Sequence, residues 1–206
     1  MDRVAQQLSD RLVAKWSSPR GMVLMAAGAT VVDGLLKQGP LTPAAAGELL
    51  GWPGDEVLAR FRAMDFALET DPEGLIIGAG VSLNPELPYR MELLGQFRSG
   101  WCAMDALMFP VVFGEAASRV TARCTATGVP ISLTVTPDGI RDLTPATTTV
   151  TLAPAAGADI REVFCDRVRF YATRELADRA VAADLELAAC DAAEAWAVGK
   201  RLADLF

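Results

Sequence analysis

The strongest constraint on the fold is a series of short β-branched runs separated by close turn signals. Parallel strands need a crossover of a dozen or more residues, whereas the shortest connections here, Gly128-Val-Pro130 and Pro137-Asp-Gly139, contain only Gly- and Pro-rich turns. The runs therefore predict a mostly antiparallel sheet. They are Arg119 to Cys124, Ile131 to Thr136, Thr147 to Leu152 and Val163 to Ala172.

Helical patterns around this sheet make the predicted fold class α+β. After the strands, Arg174 to Ala183 and Asp191 to Leu205 show helical patterns. Before them, Ser18-Pro19 and Thr42-Pro43 are typical of helix starts, with an N-cap followed by Pro at the first helical position.

A helical N-terminal module of winged-helix type is predicted for residues 1–82, followed by an α+β catalytic domain at residues 83–206. Helices are succeeded by a predicted hairpin at residues 66–77, and Asn84 to Pro88 is a plausible linker. A winged helix can bind DNA or serve as a scaffold or substrate lid. We favour the second role, because the helix at 54–64 has only Arg60 and Arg62 as basic groups.

Charge and composition exclude several classes of function. The net charge of −7 argues against a nucleic-acid partner or an anionic membrane partner, since both require a basic surface. The absence of histidine removes His-dependent triads and His-containing metal sites. The most apolar run, 21–32, is shorter than the ~20 residues that span a bilayer, and the first residues have no secretory apolar region. We expect a cytoplasmic protein with reduced thiols.

The densest group of chemically capable residues lies in Gly100-Trp-Cys-Ala-Met-Asp-Ala-Leu-Met-Phe-Pro110. In a helix, Cys102 and Asp105 would share a face, so a thiol and a carboxylate could exchange a proton. The apolar neighbours predict burial, which would raise the pKa of both groups. A buried structural Cys beside a capping Asp is the alternative interpretation of such a pair.

Three motifs in order along the chain resemble the organomercurial lyase (alkylmercury lyase) family. The first is the Gly100 to Pro110 segment, the second is Arg123-Cys-Thr-Ala-Thr-Gly128 with Pro130 to Val135, and the third is Arg161-Glu-Val-Phe-Cys165. Gly51-Trp-Pro53 and Ile76-Ile-Gly78 add to the similarity, which covers most of the chain.

The resemblance implies that Cys102 and Cys165 bind mercury, that Asp105 transfers the proton at the same metal site, and that Cys124 is structural. Soft metals select thiolate sulfur, which agrees with two Cys ligands. Two sulfurs that share one metal should lie about 4–5 Å apart, given metal–thiolate bonds like the ~2.3 Å of zinc. The implied reaction is protonolysis of a carbon–mercury bond without an external cofactor. Mercury(II) is then the bound product, and a mercuric reductase or small dithiol is the expected acceptor.

Residues around the proposed thiols have less specific interpretations. Alternation in Phe164 to Phe170 predicts a strand with Cys165 on the face opposite Phe164. Arg161 could hold thiolate or carboxylate charge or form a plain ion pair, and Trp101 could wall the pocket or belong to the core. Cys124 and Cys190 are interpreted as packing residues. Two other functions remain open: a metal-responsive winged-helix regulator, and a non-catalytic relative that only binds soft metals.

Overall fold

The computed structural model describes residues 1–157 and 159–206 and combines helices with strands throughout. The helices are α1 (Arg3–Trp16), α2 (Pro19–Gln38), α3 (Pro43–Leu50), α4 (Val57–Ala63), α5 (Ala103–Val112), α6 (Ile160–Val163), α7 (Arg174–Ala183) and α8 (Ala192–Ala203). The strands are β1 (Glu69–Thr70), β2 (Ile76–Ala79), β3 (Val81–Ser82), β4 (Tyr89–Leu93), β5 (Gln96–Gly100), β6 (Ser118–Arg123), β7 (Pro130–Thr136), β8 (Gly139–Thr144), β9 (Thr149–Leu152), β10 (Phe170–Tyr171) and β11 (Ala188–Asp191). Two short 3-10 helices lie at Gly54–Glu56 and Cys165–Arg167.

The strands form two antiparallel sheets, which confirms the predicted pairing. The larger sheet has the order β1-β2-β3-β5-β4-β6-β7-β8, and the smaller one has the order β10-β9-β11. In the larger sheet, Val81 of β3 faces Gly100 of β5, so hydrogen bonding continues across position 82. The division into residues 1–82 and 83–206 stays a prediction.

The N-terminal helices begin where the sequence places them. The Ser18 hydroxyl accepts a hydrogen bond from the Gly21 amide at 3.1 Å, and the Thr42 hydroxyl accepts one from the Ala45 amide at the same distance. Pro occupies the first turn in both helices because its missing N–H has no intrahelical partner there. These helices are followed by the β1–β2 hairpin, which is the edge of the larger sheet.

Helix α2 is long and apolar enough, by length and composition alone, to cross a membrane. The apolar run predicted at 21–32 is therefore part of a longer helix. Half of its most apolar window is buried inside the protein, where Val31, Val32 and Leu35 join the hydrophobic core. Burial of one face against protein is also what a core helix shows.

The core surrounds α5, whose residues from Ala103 to Pro110 are all buried. This helix packs against α8 on one side and against β4 and β7 of the larger sheet on the other. Enclosure on both sides explains why the segment is apolar apart from Asp105, with no polar face along its length. It also means that any polar group at its N-terminus is removed from bulk water.

The strand predicted at Val163 to Ala172 is wrong over most of its length. Cys165 lies in a 3-10 helix directly after α6, and only Phe170–Tyr171 is extended. The Asp159 carboxylate caps α6 by accepting a hydrogen bond from the Arg161 amide at 2.9 Å, and the Val168 amide donates to the Phe164 carbonyl at 3.0 Å. Local capping thus overrides the alternating apolar pattern.

Candidate active site

Cys102 and Asp105 meet at the N-terminus of α5. Cys102 is the N-cap, with an extended backbone, and Asp105 is the third residue of the helix. The Cys102 amide donates a hydrogen bond to the Asp105 carboxylate at 2.9 Å, in the reciprocal pattern of a capping box. The predicted proximity of the two side chains is therefore correct, although Cys102 lies just outside the helix rather than on its face.

Hydrogen bonds from α5 and from β9 hold Cys165 at the same place. The Ala103 amide, which follows Cys102, donates to the Val168 carbonyl at 3.1 Å. Thr151 on β9 donates its hydroxyl proton to the Arg167 carbonyl at 2.7 Å and accepts from the Arg169 amide at 3.1 Å. The turn that contains Cys165 is thus fixed between α5 and the smaller sheet.

The structure places one ligand atom from each of Cys102, Asp105 and Cys165 within 4.8 Å of the others. Their exposed fractions are 0% for Cys102, 8% for Asp105 and 5% for Cys165. The separation agrees with the distance of about 4–5 Å expected for two sulfurs on one metal. Cys190, on β11, is outside this cluster.

Burial shifts the acid–base properties of all three groups. Desolvation raises the pKa of Asp105 to about 7, although hydrogen bonds from Cys102 and Trp101 oppose the shift. Burial also raises the pKa of the Cys102 thiol well above its usual range. The hydrogen bond with Cys102 lowers the pKa of the Cys165 thiol, but burial and nearby carboxylates outweigh it, so this pKa is raised as well. The site therefore favours thiols over thiolates.

Gly80 leaves room for the Phe109 ring beside the Asp105 carboxyl group. Its backbone has φ of 86°, which favours glycine. A β-carbon at this position would lie 2.9 Å from the Phe109 ring and 3.5 Å from a carboxylate oxygen of Asp105. The turn between β2 and β3 can therefore approach α5 closely only without a side chain.

Trp101 and Arg161 form one cluster with Glu69, a residue that the sequence analysis did not single out. The Trp101 indole N–H donates to the Glu69 carboxylate at 2.7 Å, and Arg161 lies 3.6 Å from the same carboxylate. The Arg161 guanidinium also stacks 4.9 Å from the Trp101 ring centre. Trp101 is both a core residue and a pocket residue, since it is buried and lines the cavity beside Asp105. Arg161 forms an ion pair with Glu69 and also lowers the pKa of Asp105. Nothing in the local sequence of Glu69 signals this contact.

Two cavities of opposite character reach Cys165. The first is apolar, and Asp105 is in its wall together with side chains of α2, α5 and the C-terminus. The second is a cleft that contains Arg123, Arg169 and the Cys124 side chain. Cys165 and Trp101 line both cavities, whereas Asp105 lines only the apolar one.

Fold and site together define a protein that can hold one soft metal between two buried thiols, with an acid beside them. A model of the alkylmercury lyase (MerB) family matches residues 82–204. The alkylmercury lyase of Pseudomonas putida is 41% identical over 150 residues, which cover 72% of this chain and 69% of that protein. The Streptomyces lividans enzyme is 45% identical over 106 residues, or 51% of this chain and 48% of its own.

A solved structure confirms the likeness at the level of the fold. The crystal structure of the mercury-bound form of MerB2 superposes with a TM-score of 0.79, at 20% sequence identity, over 97% of this chain and 98% of that one. The chain belongs to the alkylmercury lyase family and is an enzyme that cleaves carbon–mercury bonds.

Proposed function

We propose that Cys102, Cys165 and Asp105 carry out the cleavage by protonolysis and hold the mercury(II) product. The observation that supports this most strongly is the convergence of their ligand atoms within 4.8 Å in a buried site. The two sulfurs come from positions 63 residues apart, so local structure alone does not produce the pair.

Each thiol has a defined task in the proposed reaction. Mercury is soft and thiophilic, so one Cys displaces the leaving group X of a substrate R–Hg–X, and the second Cys adds electron density to the metal. That density makes the carbon easier to protonate. The overall reaction is R–Hg–X plus two thiols, giving R–H, HX and mercury bound by two thiolates.

Asp105 is the proton relay between thiol and carbon. Proton transfer from a free thiol to a free Asp is uphill by about 4–5 pKa units, or roughly 6 kcal/mol. Burial raises the pKa of Asp105 to about 7 but raises the pKa values of both thiols as well, so it is coordination of the metal, which expels the thiol proton, that makes the transfer favourable. A carboxyl with such a pKa can accept a proton from sulfur and donate it to carbon near neutral pH.

The organic group R occupies the apolar cavity. Asp105 must face the carbon that it protonates, and it lines this cavity but not the cleft. The aromatic and aliphatic walls, which include Met104, Phe66 and Phe164, suit an alkyl or aryl group.

The helical N-terminal region acts as a winged-helix-like scaffold that covers this cavity rather than as a DNA-binding module. Trp16, Leu24 and Met25, from α1 and α2, form part of the cavity wall. The chain's negative charge agrees with this role. A metal-responsive regulator would instead need a basic face.

The proton balance requires no cofactor, since the two thiols supply both protons. Bound mercury(II) then passes to another thiol pair, either on a mercuric reductase or on a small dithiol. Reduced cysteines are needed throughout, so we place the enzyme in the cytoplasm, without nucleic-acid or membrane partners. All four cysteines are free in the structure.

Benzene release from phenylmercury in excess thiol tests the assignment. We expect Cys102→Ala, Cys165→Ala and Asp105→Ala each to abolish release, because each removes one component of the reaction. Cys190→Ala is the matched control, as it removes a buried thiol outside the site, and it should retain release. Normal benzene formation by the Cys165→Ala protein would exclude the two-thiol mechanism. Stoichiometric mercury binding without benzene from the wild type would identify a binding protein only.

A further inference from the structure

The cleft on the second side of Cys165 has a charge opposite to that of the whole protein. Arg123, Arg161 and Arg169 line it, and Asp166 is the one acid among the described residues that line it. The chain carries a net charge of −7, so three arginines around one thiol are a local exception. Such a cleft attracts anions.

Two of these arginines have no carboxylate partner among the residues that the structure describes. Arg123 donates to the Gly128 carbonyl at 3.0 Å, and Arg169 donates to the Asp166 carbonyl at 2.6 Å. Neither guanidinium lies within 4.0 Å of a described carboxylate oxygen, in contrast to Arg161, which pairs with Glu69. A guanidinium has five N–H donors, so most donors of Arg123 and Arg169 remain available to a ligand.

We propose that this cleft binds carboxylate-bearing low-molecular-weight thiols, which remove mercury(II) from Cys165 and Cys102. The inference rests on the proposed function, because it requires mercury to be held by these two sulfurs. The carboxylate pairs with Arg123 and Arg169, in the forked geometry that guanidinium and carboxylate groups favour. The thiol of the bound molecule then faces Cys165, the one of the two metal-binding thiols that lines the cleft.

Mercury transfer in the cleft is a ligand exchange without redox change. Two sulfur–mercury bonds to the protein break, and two bonds to incoming thiols form. The two protons of the incoming thiols pass to Cys102 and Cys165, which restores the free enzyme. Organic group and acceptor thus use opposite sides of one metal site, so the acceptor does not compete with the hydrocarbon for the apolar cavity.

The test uses the full-length protein loaded with one equivalent of mercury(II) chloride. Retained mercury is measured by rapid gel filtration after mixing with 3-mercaptopropionate, which is anionic, or with 2-mercaptoethanol, which is neutral. For each protein, the rate with 3-mercaptopropionate is divided by the rate with 2-mercaptoethanol. The two thiols differ in intrinsic reactivity, but this difference is the same for every variant, so it does not affect the comparison of ratios between variants. We expect the rate with 3-mercaptopropionate to saturate with concentration, and the ratio to fall as salt screens the cleft.

Arg123→Gln and Arg169→Gln should each lower this ratio by about threefold to fivefold, as for a partly exposed ion pair. Arg62→Gln is the matched control, since it removes the same charge from an exposed position outside the cleft and should keep the wild-type ratio. A variant that misfolds would lose exchange with both thiols, whereas loss of the carboxylate site changes only the ratio. Equal ratios in all four proteins would overturn the proposal.

The thiol-exchange experiment and the benzene-release assay test different claims, and each can fail without the other. Benzene release with no preference for the anionic thiol would leave the proposed function in place and remove the acceptor cleft. A preference for the anionic thiol without benzene release would support the cleft and contradict the catalytic assignment.

Discussion

The two cysteines that we propose as mercury ligands, Cys102 and Cys165, are held in the site by different kinds of contact. Cys102 is held by its own neighbours, as the N-cap of α5, with Asp105 closing the capping box three residues later. Cys165 lies in a 3-10 turn, and its position depends on hydrogen bonds from Thr151 on β9 and on the link between Ala103 and Val168. Cys102 and Asp105 therefore form the local half of the site, which is fixed by neighbours in sequence. The turn of Cys165 forms the tertiary half, which is fixed by contacts with distant elements.

The difference also concerns what each half contributes to stability. Around Cys102, a carboxyl is buried at the cost of an unfavourable pKa shift, which serves the chemistry and opposes folding. Around Cys165, the surrounding polar groups are satisfied by hydrogen bonds and ion pairs, which support the fold. Substitutions in the two halves should thus change the free energy of unfolding in opposite directions.

The largest expected effect follows from the substitution Asp105→Asn, which should stabilise the protein at neutral and alkaline pH. In the unfolded chain, this Asp loses its proton near pH 3.8, whereas in the folded protein it keeps the proton up to about pH 7. Between these values the unfolded state binds fewer protons, so its ionisation lowers the free energy of unfolding as the pH rises. The full cost, about 4 kcal/mol for a shift of roughly three pKa units, is present above about pH 7.

Urea unfolding of wild type and Asp105→Asn between pH 4 and pH 8 measures this difference. The variant should gain little at pH 4 and progressively more up to about pH 7, with a constant advantage beyond. Asn keeps an oxygen that can accept the Cys102 amide, so the cap is retained. An advantage that is independent of pH would show that packing, rather than ionisation, explains the change. Asp65→Asn makes the same substitution at a half-exposed carboxylate and is the matched control for Asp105→Asn.

The local half of the site was also the half that sequence could predict. A Cys and an Asp three residues apart in an apolar helix imply proximity and burial, and both are found. The pairing of Cys102 with Cys165 came only from the family resemblance, since no periodicity connects residues 63 positions apart. The apolar alternation from Phe164 to Phe170 predicted a strand, because the alternation contains no information about the Asp159 cap that begins α6.

The same distinction holds for the fold. Antiparallel pairing and the capped starts of α2 and α3 follow from turns and caps within a few residues, and the structure has them. Strands β4 and β5 were not predicted, because their sequence around Arg90 and Arg98 is not β-branched and they are stabilised by neighbours in the sheet. Glu69 was not predicted as a site residue either, because its partners Trp101 and Arg161 are distant in sequence.

The next largest effect on the free energy of unfolding is expected from Thr151→Val, in the tertiary half of the site. The Thr151 hydroxyl is fully buried and bonds both the Arg167 carbonyl and the Arg169 amide. Val keeps the shape but leaves these two backbone groups without a partner, which should lower the free energy of unfolding by about 1–3 kcal/mol. Thr149→Val, on the same strand, removes a hydroxyl that donates to the Thr147 carbonyl and makes no other hydrogen bond to the described residues, so it should cost less. Equal losses in the two variants, measured by urea unfolding, would mean that the turn of Cys165 does not depend on Thr151.

The smallest effect is expected from Arg167→Gln, which removes the ion pairs beside Cys165. Arg167 contacts Asp184 at 2.7 Å and Glu186 at 3.0 Å, and its side chain is 22% exposed. Surface pairs are worth about 0–1 kcal/mol, and partial burial places this one near the upper limit. Arg174→Gln, which breaks a pair with Asp178 at 54% exposure, should cost less than half as much. In a double-mutant cycle with Asp184→Asn, coupling near 1 kcal/mol would show that the ion pair itself helps to fix the Cys165 turn. Coupling near zero would leave this task to Thr151 and to the link between Ala103 and Val168, and the tertiary half of the site would then rest on buried hydrogen bonds alone.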